Sequence, residues 1–195
     1  ATLFFYPKLG VLFFMTLFLR SLSEQEQKFF DYAQDKLNQQ ENLAVYDVEY
    51  TRPNSLLCLY IERKDGPVTL DDCQLADGLM DDFFLEDTDF PENVVLEVSS
   101  PGLYRKLRLL NHFKDAIGEM VSLKLESPLL SSEIKDLPKK LNKKKKIRGR
   151  TTSIDEQNHK MTFDVDGYLL TLEGKDLSEA HLDPDLNFNG LKNRI

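Results

Sequence analysis

The stretch from Asn93 to Leu110, which reads NVVLEVSSPGLYRKLRLL, constrains the fold of this chain more than any other. It begins with an alternation in which Val94, Leu96 and Val98 fall on one side, and this period of two is typical of a half-buried β-strand. The run Ser99-Ser100-Pro101-Gly102 should end the strand in a tight turn, because proline lacks an amide donor and glycine accepts a positive φ. Cations between leucines follow, so we expect a strand, a turn and the basic start of a helix.

Composition indicates a soluble protein with one or two small domains, since the 195 residues are 41% hydrophobic and 30% charged. The formal net charge is −8, so the chain would not coat nucleic acid with its whole surface. It suits a strongly basic protein partner, or a nucleic acid that meets one local basic patch. Cys58 and Cys73 form no disulfide framework and favour a reducing compartment.

Residues 1–22 form an apolar extension for which three interpretations compete. A signal peptide or membrane anchor is the first, but there is no basic leader or small-residue cleavage site, and the apolar run is barely long enough to span a membrane. An extra helix packed on the domain is the second. We favour the third, a translated segment upstream of the native start, with Met15 as a plausible first residue.

Residues 23–110 carry the pattern of an α+β domain in which helices cover one face of a small sheet. Each helix start is marked by a hydroxyl residue that is followed three positions later by an acid, which is the spacing of a capping box. Acids spread along the second helix could suggest a metal site, but such acids are usually a solvated surface. The predicted α-β-β-α-β order comprises a helix from Ser23, strands at 43–50 and 55–61, a helix from Thr69 and the strand at 93–98.

Residues 111–188 carry a different pattern of short strands and turns, ahead of a tail at 189–195. Asp166-Gly167 is a strong hairpin signal, and residues 175–180 predict one helical turn. Many short strands in so few residues favour a small closed β-barrel. The strand candidates are 121–125, 147–154, 161–165, 168–172 and 180–182.

A lysine-rich loop at residues 126–146 lies between the first two barrel strands and is longer than most hairpin loops. A run of like charges repels itself, so we expect this loop to be mobile. Solvation alone would explain it, but the cations stand out against a net charge of −8, and contact with RNA phosphate is the functional interpretation. The candidate contacts are Lys139, Lys140, Lys143, Lys144, Lys145, Lys146, Arg148 and Arg150.

No recognisable catalytic constellation is present in the sequence. There is no phosphate-binding loop, dinucleotide fingerprint, nucleophile elbow or zinc-ligand spacing. Ser99 and Ser100 are more simply turn formers than nucleophiles. We therefore predict no catalytic residues, no cofactor and no metal.

Three motifs resemble the bacterial ribosome maturation factor RimP family, in the family's order and approximate spacing over residues 23–188. VLEVSSPGLYRKL is similar to its VSSPGLDRPL signature, Val68 to Cys73 to its V-x-x-DDC, and residues 177–184 to its closing I-x-x-A-x-L-x-P. Tyr104 departs from the signature's aspartate and Lys106 from its proline. The matching signature positions are Ser99, Ser100, Pro101, Gly102, Leu103 and Arg105.

The resemblance implies an SH3/Sm-like barrel after the α+β domain. It also implies a cytoplasmic, cofactor-free assembly factor for the small ribosomal subunit, which assists loading of a basic ribosomal protein near the decoding region. We expect a monomer that meets rRNA through the lysine-rich loop and needs no membrane. The alternatives are an Sm-like RNA-binding regulator that uses the barrel alone and an adaptor tethered to a membrane through residues 1–20.

Overall fold

The structure is a computed structural model that describes residues 22–86 and 90–185. The described residues fall into two compact units, of which the first is Leu22–Gly102 and the second begins at Leu103. Both helices and sheets are present, so the α+β class predicted from the sequence is confirmed. The predicted tail at 189–195 and all but the last residue of the apolar extension at 1–22 lie outside the described residues.

The first unit has the predicted α-β-β-α-β order around a three-stranded sheet with strand order β1-β2-β3. β1 and β2 pair antiparallel, whereas β2 and β3 pair parallel. The parallel pairing follows from α2, because parallel neighbours need a crossover connection that a helix can provide. The elements are α1 (Glu24–Leu37), β1 (Leu43–Thr51), β2 (Leu56–Arg63), α2 (Leu70–Glu86) and β3 (Val95–Ser99).

The predicted capping box at the start of α1 is confirmed and extends to β1. The Ser23 N–H donates to the Glu26 carboxylate at 2.8 Å, and the Glu26 N–H donates back to the Ser23 hydroxyl at 3.3 Å. The other oxygen of Glu26 accepts from the Tyr50 N–H at 2.8 Å. Glu26 is buried, and these bonds compensate the cost of desolvating its charge.

A β-bulge between Val45 and Asp47 interrupts the simple alternation that the sequence predicts for β1. The extra residue shifts the following side chains by one position, so that Val48 and Leu59 lie opposite each other and are both fully buried. Asp47 is also buried, and its carboxylate accepts a hydrogen bond from the Val48 N–H at 2.9 Å. The bulge therefore moves Asp47 out of the series of Leu43 and Val45 and brings Val48 into that series.

The second unit contains a five-stranded antiparallel sheet with strand order β7-β6-β5-β4-β8. Among the described residues these pairings form one continuous ladder, and closure into the expected barrel is not shown. The predicted Asp166-Gly167 hairpin is confirmed, since both residues have positive φ in the turn between β6 and β7. The elements are α3 (Leu110–Asp115), β4 (Met120–Leu125), β5 (Lys146–Asp155), β6 (Lys160–Val165), β7 (Tyr168–Glu173) and β8 (Leu177–Leu182).

The basic segment after the Pro-Gly turn is extended, so the predicted helix start at this point is wrong. The Leu182 N–H donates to the Arg105 carbonyl at 3.0 Å, and the Leu107 N–H donates to the Ala180 carbonyl at 2.8 Å. Pairing with β8 satisfies the backbone and delays the helix to Leu110. The helical turn predicted at 175–180 is likewise shorter, because a 3-10 turn at Gly174–Asp176 gives way to β8 at Leu177.

Candidate functional site

The lysine-rich loop is packed onto the second unit, and the prediction that it is mobile is wrong. Leu129, Leu137 and Leu141 are 5–8% exposed and belong to the same core cluster as Phe163 of β6. Burying three leucines offsets part of the ordering entropy that a solvated loop would keep. The sequence carried this signal, because leucines recur among the lysines, but the charge run dominated the pattern.

Backbone hydrogen bonds close the loop onto itself and onto β4. The Lys143 N–H donates to the Leu129 carbonyl at 2.7 Å, and the Leu129 N–H donates to the Lys144 carbonyl at 3.0 Å. The Leu125 N–H, at the end of β4, donates to the Lys145 carbonyl at 2.7 Å. Lys143 has φ of 65°, so the chain turns there in the left-handed region. These contacts hold the cationic side chains on a fixed backbone.

The lysine ammonium groups of this loop point into solvent. Lys140 is paired with Asp166 at 2.8 Å. The other five lysines predicted as contacts have exposed side chains, and Lys146 helps to lower the pKa of Glu179. Their charge is therefore available to a polyanion. These exposed lysines are Lys139, Lys143, Lys144, Lys145 and Lys146.

The two arginines predicted as RNA contacts lie on the outward face of β5 but are engaged within the protein. The Arg148 guanidinium donates to Asp183 at 2.6 Å and to Asp185 at 2.7 Å. Hydrogen bonds to these carboxylates raise the pKa of Arg148, and the same arginine lowers the pKa of Asp185. Arg150 donates to the Gly118 carbonyl. The structure thus separates five exposed lysines from two arginines that already have partners.

Sequence reasoning missed Lys124, which the sheet register places opposite Lys146. Lys124 forms an ion pair with Glu179 of β8 at 2.5 Å, and this lysine lowers the pKa of Glu179. The alternation of β4 showed that Lys124 faces outward, but only the strand pairing brings it beside the loop. Since Glu179 compensates its charge, Lys124 adds less to the positive surface than its position suggests.

The signature residues form a bend with exposed apolar side chains. Gly102 has φ of 73°, the positive value expected for it, and the Ser99 hydroxyl donates to the Ser100 carbonyl at 3.3 Å. That hydrogen bond agrees with a turn-forming role for the serine. Leu103 and Tyr104 are 62% and 56% exposed.

The V-x-x-DDC motif has a structural role in the first unit. Asp72 accepts hydrogen bonds from the Thr69 hydroxyl at 2.6 Å and the Thr69 N–H at 2.8 Å, and it pairs with Arg63 at 2.8 Å. The Thr69 hydrogen bonds, together with Arg63, lower the pKa of Asp72. Burial raises the pKa of the Cys73 thiol, which disfavours the reactive thiolate.

The two units differ in the sign of their charge. Counted over the sequence, Leu22–Gly102 contains 19 acidic and 5 basic residues, a formal charge of −14. Residues from Leu103 onward contain 14 acidic and 18 basic residues, a formal charge of +4. Together with the two basic residues before Leu22, these charges give the net charge of −8, which conceals the opposite signs of the two parts.

Residues 22–86 and 90–185 contain neither a metal-binding cluster nor a membrane-spanning helix. In these ranges no group of three or more His, Cys, Asp or Glu residues is arranged to hold a metal ion. No helix in the same ranges is both long and apolar enough to cross a membrane.

His112 is buried, and its Nδ1 accepts from the Arg108 and Leu109 N–H groups at 3.2 and 3.3 Å. These bonds give it a capping role at the start of α3.

Comparison with protein families identifies the first unit. Residues 34–104 match the family model of the RimP N-terminal domain. The match extends from within α1 through β3 to the signature bend, and it includes the V-x-x-DDC motif. The resemblance recognised from the sequence is therefore confirmed over residues 34–104, which form a domain of the RimP N-terminal family.

Proposed function

We propose that this protein is a non-enzymatic, cytoplasmic assembly factor that binds the maturing small ribosomal subunit. The RimP N-terminal domain at residues 34–104 is the observation that carries this proposal. A docking factor needs surfaces rather than catalytic groups, and the two units offer surfaces of opposite charge. The proposed partners are rRNA and a basic ribosomal protein near the decoding region.

The lysine-rich loop supplies the proposed rRNA contact. Its buried leucines and backbone hydrogen bonds fix the main chain that carries the lysines, so little backbone entropy would be lost on binding. Each phosphate that a lysine neutralises releases counterions, which makes the affinity salt-dependent but not sequence-dependent. No aromatic side chain lies among the lysines of residues 139–146, so we expect contact with the RNA backbone rather than base readout.

The first unit supplies the proposed contact with a basic ribosomal protein. Its formal charge of −14 would repel RNA phosphate and attract a cationic polypeptide, which increases the rate of encounter. The two binding roles are thereby assigned to different units of the chain.

Cosedimentation tests the proposed function. In a sucrose gradient at low ionic strength, the chain should travel with free small subunits, and replacing Lys143, Lys144, Lys145 and Lys146 with Ala should move it toward the top. A variant with Lys64, Lys114, Lys160 and Lys175 replaced by Ala carries the same change in charge outside the loop and should stay with the subunits. Absence of the unaltered chain from the subunit fractions would contradict the proposal.

We also propose that the five-stranded sheet belongs to an SH3/Sm-like barrel that acts as a monomer. Support comes from Gly149, where a Cβ would lie 2.9 Å from the Asp164 carbonyl oxygen, so β5 and β6 approach closely enough for strong bending. The rival is an Sm-like RNA-binding regulator, which would assemble into rings. Sedimentation equilibrium separates them, since a monomer favours the assembly factor.

A further inference from the structure

A groove runs beside β3 in the first unit, between that strand and α2. Its volume is about 280 Å³, and its apolar lining includes Phe84, Val94 and Leu96. Three carboxylates border the same groove: Asp77 and Asp81 on α2, and Glu92 before β3. All three carboxylates are exposed. The groove therefore combines an apolar lining with a negative border.

The groove lies next to an open sheet edge. Among the described strands β3 pairs only with β2, and the Val95 N–H donates to the Ser55 carbonyl at 2.8 Å. In a parallel pair alternate residues bond to the neighbouring strand, so the N–H and C=O groups of Leu96 and Val98 point toward the open edge. Such an edge can accept an additional extended strand.

We propose that this groove and edge bind an extended, cationic polypeptide segment by strand addition, with an apolar side chain in the groove and Lys or Arg side chains against Asp77, Asp81 and Glu92. The inference rests on the proposed function, because it assigns a docking site to the basic ribosomal protein. Backbone hydrogen bonds at the edge would supply affinity, and the alternation of apolar and basic side chains would supply specificity.

Charge complementarity selects this occupant over the others. Nucleic acid would bring phosphates against three carboxylates, an arrangement that repels. A second copy of the chain that added its own β3 would bring the same carboxylates together, with the same repulsion. A basic segment meets opposite charge at the border and apolar surface inside, so it alone satisfies both parts of the groove.

Fluorescence anisotropy on the full chain at low ionic strength would test the proposal. The probe is a labelled synthetic peptide in which Lys or Arg alternates with Val. A charge-matched peptide with Gly in place of Val should bind markedly more weakly, because it lacks the apolar side chains, and a Glu–Val peptide should not bind. Equal affinity for the Val and Gly peptides would overturn the role of the groove.

Charge-reversed variants locate the site on the chain. D77K/D81K should weaken binding of the Lys/Arg–Val peptide about tenfold, because each reversed charge turns an attraction into a repulsion. The control D35K/E41K makes the same change in net charge at two exposed residues that do not line the groove, and it should change binding less than twofold. If both variants bound the peptide equally weakly, the effect would come from net charge alone, and the proposal would be overturned.

Hydrogen exchange tests strand addition without any substitution. The Leu96 and Val98 amides should exchange quickly in the free chain and slowly when the Lys/Arg–Val peptide is bound. Unchanged exchange at both amides would overturn strand addition, as would a peptide-independent dimer that protects them. Subunit cosedimentation distinguishes failure of this inference from failure of the proposed function. If the chain travels with subunits but D77K/D81K does not change peptide binding, the inference fails and the proposed function stands.

Discussion

The lysine-rich loop makes a quantitative prediction about the salt dependence of RNA binding. Replacing Lys143, Lys144, Lys145 and Lys146 with Ala removes the ammonium groups of four exposed side chains. Each phosphate contact contributes about 0.7 to the slope of log affinity against log salt for single strands and about 0.9 for duplex. Four contacts therefore account for a slope of about 3.

The assay is a titration of labelled small-subunit rRNA fragments at several salt concentrations. Between about 50 and 200 mM salt, the unaltered chain should lose about 50- to 150-fold more affinity than the four-lysine variant. The matched control, with Lys64, Lys114, Lys160 and Lys175 replaced by Ala, should keep the steep slope. Arg148→Ala should change the slope by well under one contact, because Asp183 and Asp185 already hold the guanidinium.

The refuting outcome is specific to the loop. Equal slopes in the four-lysine variant and its control would mean that long-range charge, and not contact by these side chains, sets the salt dependence. If Arg148→Ala lowered the salt slope by the amount expected for one full phosphate contact, RNA would have to displace Asp183 and Asp185 from the guanidinium. That result would contradict the conclusion that Arg148 is already engaged within the protein.

Three further predictions concern stability. Leu141→Ala removes a loop anchor that is 6% exposed, and urea unfolding should show a loss of about 2–4 kcal/mol, whereas an unchanged midpoint would mean that the loop is not packed. Gly149→Ala should lower the melting temperature, because its Cβ would lie 2.9 Å from the Asp164 carbonyl oxygen, and Gly66→Ala, with open space, should not. Asp72 has a pKa below its unfolded value, so its stabilising effect is present above about pH 4 and is lost as pH falls through the folded-state pKa. Asp72→Asn should thus destabilise the chain near neutral pH and become neutral in acid, and a pH-independent difference in unfolding midpoint would contradict this.

Local signals predicted the first unit well because its elements are set by neighbouring residues. The Ser23 and Thr69 caps each depend on an acid three positions later, and the structure contains both sets of bonds. The β1 bulge could not be predicted in this way, since it is fixed by pairing with β2 and by burial of Asp47. Likewise, the RimP signature could be recognised from the sequence, but the exposure of the Tyr104 side chain could be seen only in the structure.

Prediction of the candidate site was less complete because charge and packing compete within one segment. Repulsion among the lysines favours an open loop, but leucines at 129, 137 and 141 pack into the core. Which effect prevails depends on whether the folded sheet leaves room for these leucines, and the sequence alone does not show this. The neutralisation of Arg148 is also nonlocal, because its carboxylate partners lie 35 and 37 residues away. The cations could be identified from the sequence, but their availability could not.

The pair of backbone bonds between Leu129 and residues 143 and 144 has a consequence for proteolysis. Trypsin cleaves after lysine where the main chain is exposed and unpaired enough to enter its cleft. Residues 139–146 contain six lysines and therefore six peptide bonds that trypsin could cleave. We expect cleavage only after the buried leucines of the loop leave the core. Digestion of this segment should therefore follow the opening equilibrium of the second unit rather than the abundance of its cleavage sites.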